Sequence, residues 1–262
     1  MDRLLLTVGG KRCSFGCTYC FADFSQYESP PTLSQAAAGE LDLTDVDVIY
    51  PACDIDLFAM RKRWAVVLET SVALGCSLSI STKAALTEEQ VERIGALAVA
   101  QRAAGLVLKV SVSASTMHSC AEIEPRAAGW EERLTVLRRL TDAGVTNCLM
   151  LKPVLAEIPN SEYREMLTEV AGVTSAVVLG DEYVDDELPR RRSSALDKVD
   201  GLGSRRVGWI DGAPRWLVRE CGDRLRLLAG HASRVGLDAY FSDLAFMEDA
   251  VRSAARPAAL QA

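Results

Sequence analysis

No apolar run in this 262-residue chain reaches the roughly 18 residues that a membrane-spanning helix needs, so a membrane protein is not expected. The N-terminal "MDRLLLTVGGKRC" is too short, and too soon interrupted by Lys11 and Arg12, for a signal peptide. Histidine is scarce: His118 and His231 are the two, and both lie far from the cysteine-rich N-terminus. A basic excess is missing as well. The 29 Lys and Arg face 36 Asp and Glu, a net charge of −7, which gives no global footprint for nucleic acid and leaves only local patches to supply one. These absences point to a cytoplasmic protein. In that reducing compartment eight cysteines are not expected to form a disulfide framework, and a tight cluster of them suggests metal binding or catalysis.

Such a cluster is present. Cys13, Cys17 and Cys20 stand in a CxxxCxxC spacing inside "KRCSFGCTYCFADF", directly after a short apolar run. Thiolates on a short turn-forming segment are ligands for iron–sulfur clusters, and Gly16 gives the loop access to positive φ so that they can converge. Three ligands leave one iron of a [4Fe–4S] cluster open. The spacing alone also allows a zinc or closed-cluster site with Cys53 as a distant fourth ligand, or three incidental buried cysteines.

Cys13-Ser-Phe-Gly-Cys17-Thr-Tyr19-Cys20 resembles the CxxxCxΦC loop of radical S-adenosylmethionine (SAM) enzymes, with Tyr19 as the aromatic before the last cysteine and, by that resemblance, a cofactor-binding residue. The resemblance implies a [4Fe–4S] cluster whose open iron is chelated by the amino and carboxylate groups of SAM. It further implies reductive cleavage to methionine and a 5′-deoxyadenosyl radical that takes a hydrogen atom from the substrate. A reducing partner such as flavodoxin or ferredoxin would supply the electron.

Hydrophobic periodicity predicts a scaffold of the right kind. Strand-like runs at 3–8, 46–50, 77–82, 106–114, 147–155 and 175–180 alternate with helical patterns at 57–75, 87–105, 130–144 and 161–172. The helix at 87–105 opens on the capping-box pair Thr87 and Gln90, and Gly75, Gly105 and Gly144 fall where helices stop. Alternation of this kind indicates βαβ units and a parallel sheet. Six strands suit an α/β fold, a partial (β/α)6 TIM-type barrel, whose active site lies at the C-terminal strand ends.

Those strand ends show a narrower resemblance, to the spore photoproduct lyase-like group. It rests on "CSFGCTYCFA", "YPACDID", "STKAAL", "KVSVSAS", "IEPRAAGWEERLTVLRRLTDAGV" and "LMLKPVL", in that order, across residues 10–155. By this resemblance Lys83 would contact the SAM carboxylate, and Ser111 the carboxylate or ribose. Asp56 would reach the ribose or amino group, and Glu124 the ribose or the barrel rim. Cys53 would be the catalytic thiol that donates a hydrogen atom to the product radical. Where the family carries Cys-Thr-Ser-Asp this chain reads Cys-Asp-Ile-Asp, so one hydroxyl contact is lost. Cys76 and Cys148 read as core residues.

The expected organisation is a core at 1–180, a C-terminal hairpin, helix and strand extension at 181–250 packed on it, and a frayed tail at 251–262. The charged stretch 181–194 reads as a loop, and Asp-Gly between apolar runs at 205–220 as a hairpin. Relatives use that hairpin on damaged DNA; here Arg205, Arg206, Arg215, Trp209 and Trp216 would form the contact, but Asp211 and the overall acidity oppose it. No cysteine-rich extension precedes Cys13, so one cluster is expected. The expected function is therefore a radical SAM lyase, isomerase or epimerase acting on a small molecule or peptide, with nucleic acid as the second candidate substrate. An electron-transfer or sensing protein without SAM chemistry is the third reading.

Overall fold

Alternate residues of three neighbouring strands divide into an apolar outer set and a largely polar inner set, and that division shapes the cavity. The computed structural model describes residues 1–9, 13–20, 30–60, 62–184, 202–206 and 215–254. Strands β1 (Arg3–Leu5), β2 (Val48–Tyr50), β3 (Ser77–Thr82), β4 (Leu108–Ser113), β5 (Thr146–Leu151) and β6 (Ala176–Leu179) run in parallel in sequence order. Leu78, Ile80, Val110, Val112, Leu149, Leu151, Val177 and Leu179 are buried in the main core with the helices. Ser79, Ser81, Lys109, Ser111, Ser113, Cys148 and Met150 fall on the opposite face by the two-residue strand period, which turns them toward the barrel interior.

Helices α1 (Leu33–Ala37), α2 (Trp64–Ala73), α3 (Glu88–Ala103), α4 (Cys120–Ile123), α5 (Trp130–Asp142) and α6 (Asn160–Val170) fill the connections. The α3 capping box forms as its sequence predicts. Thr87 accepts from the Gln90 amide and the Gln90 side chain accepts from the Thr87 amide, satisfying donors that the first turn leaves orphaned. The predicted helix over 57–75 is interrupted. Asp56 accepts from Phe58 N at 3.0 Å and caps a 3₁₀ turn at Leu57–Ala59, so the α-helix begins only at Trp64.

A seventh parallel strand, β10 (Asp238–Tyr240), pairs with β6. Helix α7 (Gly222–Arg234) precedes it, and helix α8 (Asp243–Ala254) follows. Helix α8 occupies the barrel floor: Phe246 packs on the inward-facing Cys148, Met150 and Val178, and Met247 on Val48 and Val107. The stretch 181–194, expected as a loop, contains strand β7 (Glu182–Val184). β7 joins β9 (Arg215–Arg219) and β8 (Leu202–Arg206) in an antiparallel sheet of order β7-β9-β8. The predicted hairpin is thus present in its two arms; its tip, with Trp209 and Asp211, lies outside the described residues. Of the tail expected to fray at 251–262, residues 251–254 belong to helix α8, while 255–262 lie outside the described residues. Among the described residues no helix is long and apolar enough to cross a membrane.

Candidate functional site

The loop after β1 returns toward the strand ends because Gly16 adopts φ +62°, a left-handed conformation costly for other residues. Two backbone bonds fix it: Thr18 N donates to Ile123 O at 2.9 Å, and Cys20 N to Cys17 O at 3.2 Å. Cys13, Cys17 and Cys20 then line a single cavity of about 300 Å³ at the C-terminal ends of the strands. Burial raises the pKa of Cys13, against hydrogen bonds from the Asp56 and Phe15 backbone. Burial also pushes Cys17 up to about 11, opposed by the charge of Lys83 and assisted by Glu124, Cys20 and Cys13. The three sulfurs therefore feel one another. Among the described residues no three His, Cys, Asp or Glu side chains converge closely enough to hold a single metal ion.

Lys83, at the end of β3, also lines this cavity. Its Nζ donates to Ser113 Oγ at 2.7 Å, stands 3.9 Å from Glu124 and lies over the Tyr19 ring, 5.7 Å from its centroid. Asp56 sits at the base of this arrangement. Its carboxylate accepts from Lys83 N at 2.6 Å and from Thr82 Oγ1 at 3.0 Å, in addition to the Phe58 amide. Burial raises its pKa even so. Asp56 lines the cavity but spends its oxygens on protein donors, so its visible role is to position the Lys83 backbone.

Tyr19 is tied down from below. Its hydroxyl donates to Glu124 Oε1, while Arg133 donates to Glu124 Oε2 and to Ser113 O. Arg133 and Glu124 are 0% and 1% exposed, and neither lines the cavity. Of the two roles expected for Glu124, the structure gives the tie to the barrel rim. A buried carboxylate held by a guanidinium and a phenol is a strut between the cysteine loop and α5. Burial first, then the Glu124 charge, drives the Tyr19 pKa well up, so its proton stays on the phenol.

Ser111 departs from expectation. It is fully buried, absent from the cavity lining, and engaged with Cys148 Sγ at 3.3 Å and Asp243 Oδ1 at 3.4 Å. Ser113, on the same strand face and two residues nearer the strand end, lines the cavity instead. The pattern "KVSVSAS" offers both serines, and only the strand's length says which reaches the mouth.

Cys53 follows β2, with its amide bonded to Leu6 O at 3.0 Å, and lines the cavity. Burial, then the neighbouring Asp54 charge, pushes its thiol up to about 12. Asp54 accepts from Thr7 Oγ1, and its other oxygen is buried without a partner among the described residues. Cys76 and Cys148 are buried, as expected of core residues. Several lining residues carry no role in the sequence reading, Arg3, Asp54, Lys152 and Asp243 among the charged ones. Lys152 lies within the quoted "LMLKPVL" but carried no assigned role, and Asp243 enters from α8, far along the chain.

No protein-family model and no curated protein matches the sequence. Solved structures do. A cysteine-to-serine variant of spore photoproduct lyase aligns with a TM-score of 0.62 at 15% identity, over 92% of this chain and 76% of that one. The lyase complexed with dinucleoside spore photoproduct gives 0.61 at 14% identity, over 88% and 75%. SuiB of Streptococcus suis bound to S-adenosylmethionine gives 0.56 at 11% identity, with 92% of this chain matching about half, 49%, of SuiB. The chain therefore has the partial-barrel fold of spore photoproduct lyase and SuiB, the fold its cysteine loop and strand order led us to expect.

Proposed function

We propose that this chain is a radical SAM enzyme. Cys13, Cys17 and Cys20 would hold a [4Fe–4S] cluster, S-adenosylmethionine would lie beside it, and the substrate is a small molecule or peptide. One observation carries the reading: the three thiols, Lys83 and the strand-end thiol Cys53 all line one cavity. Lyase structures with bound AdoMet and dinucleoside spore photoproduct, and SuiB structures with S-adenosylmethionine or the precursor peptide SuiA, lend the fold's support.

The donor set fits such a cluster. Thiols whose protons are held on by burial and mutual repulsion release them to a metal, which replaces repulsion by three metal–thiolate bonds. When bound, the cluster and SAM together supply a 5′-deoxyadenosyl radical able to take a hydrogen atom from a substrate carbon.

The chain's own residues then divide the work. Lys83, its backbone fixed by Asp56 and its ammonium steadied by Ser113, offers a cation to the SAM carboxylate. Tyr19 forms a wall that the Glu124–Arg133 strut keeps in place. Cys53, with a thiol pKa of about 12, keeps its hydrogen at neutral pH and can give it as an atom to a carbon radical. That transfer returns the substrate to its starting oxidation level and leaves a thiyl radical on Cys53. An electron from the reducing partner and a proton restore the thiol. A redox-neutral epimerase, isomerase or lyase fits this sequence of events.

The dinucleoside complex of spore photoproduct lyase favours a second reading, a nucleic-acid lyase. Against it, Arg205 on the hairpin is engaged with Asp181 at 3.3 Å and Glu220 at 3.7 Å, which leaves less charge for phosphates. The test is to incubate reduced, anaerobically reconstituted protein with SAM and look for 5′-deoxyadenosine and methionine. Both are expected, and both should vanish in Cys17→Ala. A protein that holds its cluster and binds SAM, yet never cleaves it with or without small-molecule, peptide or oligonucleotide extracts, would overturn the reading.

A further inference from the structure

Two lysines line the cavity, and they differ in what holds them. Lys83 is bonded to Ser113 and faces Glu124. Lys152, just beyond β5, makes no hydrogen bond or ion pair among the described residues, although it is largely buried. Two carboxylates act on it from a distance, and both are already engaged. Asp243 receives Lys109 and Ser79, and Asp181 receives the Cys221 amide at 2.9 Å and Arg205. Burial therefore governs the ammonium and lowers its pKa.

The surroundings accommodate this side chain closely. Gly180, the residue after β6, packs against the Lys152 stem, and a Cβ there would stand 2.6 Å from Lys152 Cγ and 2.7 Å from Cδ. Any side chain at 180 would displace the lysine. A cation that is desolvated, hemmed in and left without a partner in a cavity is costly unless a ligand brings the counter-charge. Strand order separates it from the cofactor groups. The cysteines follow β1, Cys53 follows β2 and Lys83 follows β3, whereas Lys152 follows β5.

We propose that Lys152 is the anchor for an oxyanion of the substrate, a carboxylate or a phosphate. The inference rests on the radical SAM reading for the identity of the site, since it assigns the SAM carboxylate to Lys83 and leaves Lys152 to the other reactant. A charge-assisted bond from a poorly solvated ammonium fixes one end of the substrate, so that a chosen C–H bond is presented to the radical.

Isothermal titration of the reconstituted, SAM-loaded protein with inorganic phosphate and, separately, with succinate tests this. At least one probe should bind, and phosphate alone or succinate alone would tell a phosphorylated from a carboxylated substrate. Binding should weaken roughly tenfold or more in Lys152→Met, which keeps the packed stem, and stay near wild type in Lys152→Arg. Gly180→Ala, which leaves the lysine in sequence but pushes its stem aside, should weaken it as well. SAM affinity should drop in Lys83→Met and hold in Lys152→Met. The proposal is overturned if neither probe binds, if Lys152→Met binds them as wild type does, or if Lys152→Met loses SAM as Lys83→Met does. Failure to form 5′-deoxyadenosine would count against the radical reading without touching these titrations, so the two can fail separately.

Discussion

The floor and the mouth of the barrel interior are built from similar residues and treated in opposite ways. On the floor, Lys109 is 0% exposed and its ammonium meets Asp243, whose other oxygen takes Ser79 Oγ at 2.8 Å. The Lys109 charge and the hydrogen bonds from Lys109 and Ser79 outweigh burial and hold the Asp243 carboxyl below its ordinary 3.8. At the mouth, Lys152 has no such partner among the described residues, Asp54 keeps an unsatisfied buried oxygen, and burial pushes the Cys53 and Cys17 thiols up to about 12 and about 11. The difference separates a lysine whose counter-charge the fold supplies from one whose counter-charge is not supplied among the described residues. Unsatisfied buried groups are rare in stable interiors, and two of them, Asp54 Oδ1 and the Tyr50 hydroxyl, belong to residues that line this cavity, where the proposed ligands would supply partners.

The comparison breaks most visibly on the floor. Asp243→Asn would leave the fully buried Lys109 uncompensated, at a cost of about 3–5 kcal/mol, read as a large drop in Tm. The sign with pH follows from the depressed carboxyl. The stability it contributes is full at neutral pH and is lost as pH falls below 3.8 through its folded pKa, so the wild-type Tm should decline there while the variant's declines less. Glu124→Gln comes next. It removes the charge opposing the buried Arg133 and weakens the hold on Tyr19, and should cost about 3 kcal/mol and loosen cluster retention on reconstitution. Lys152→Met sharpens the contrast by its mildness: stability should stay within about 1 kcal/mol of wild type, because the cation removed has no partner to strand among the described residues. A fall like that of Asp243→Asn would erase the distinction between floor and mouth. The smallest perturbation is chemical. With its pKa near 12, Cys53 should be alkylated by iodoacetamide very slowly at pH 8, on the order of one thiolate in ten thousand, and about tenfold faster per pH unit above that. Fast alkylation at pH 8, mapped to Cys53 by mass spectrometry, would contradict it.

Much of this was legible in the sequence, for physical reasons that differ by element. The spans of β3 and α3 follow from an apolar period and, for α3, the Thr87–Gln90 box, both of which are local signals. That the three cysteines face one cavity is legible because their spacing is local too. What escaped depends on distance along the chain. Asp243 reaches Ser79 across 164 residues, and no period in either segment announces that meeting. Ser111 and Ser113 share a face, so alternation could not tell the cavity serine from the floor serine. Lys152 was invisible as an anchor because its character comes from Gly180 packed against it and from carboxylates that are spoken for elsewhere. The helix at 57–75 was over-extended for the opposite reason: its apolar pattern is continuous, but the Asp56 cap starts a 3₁₀ turn that ends before Trp64.

The central claim is that Cys13, Cys17 and Cys20 leave one iron of a cluster open for SAM. Electron paramagnetic resonance of the reduced, reconstituted protein, recorded with and without SAM, addresses it directly. A reduced-cluster signal that changes shape when SAM is added, and that is missing in Cys17→Ala, is the expected result. A cluster signal indifferent to SAM, or a protein that takes up zinc and gives no signal, would contradict it.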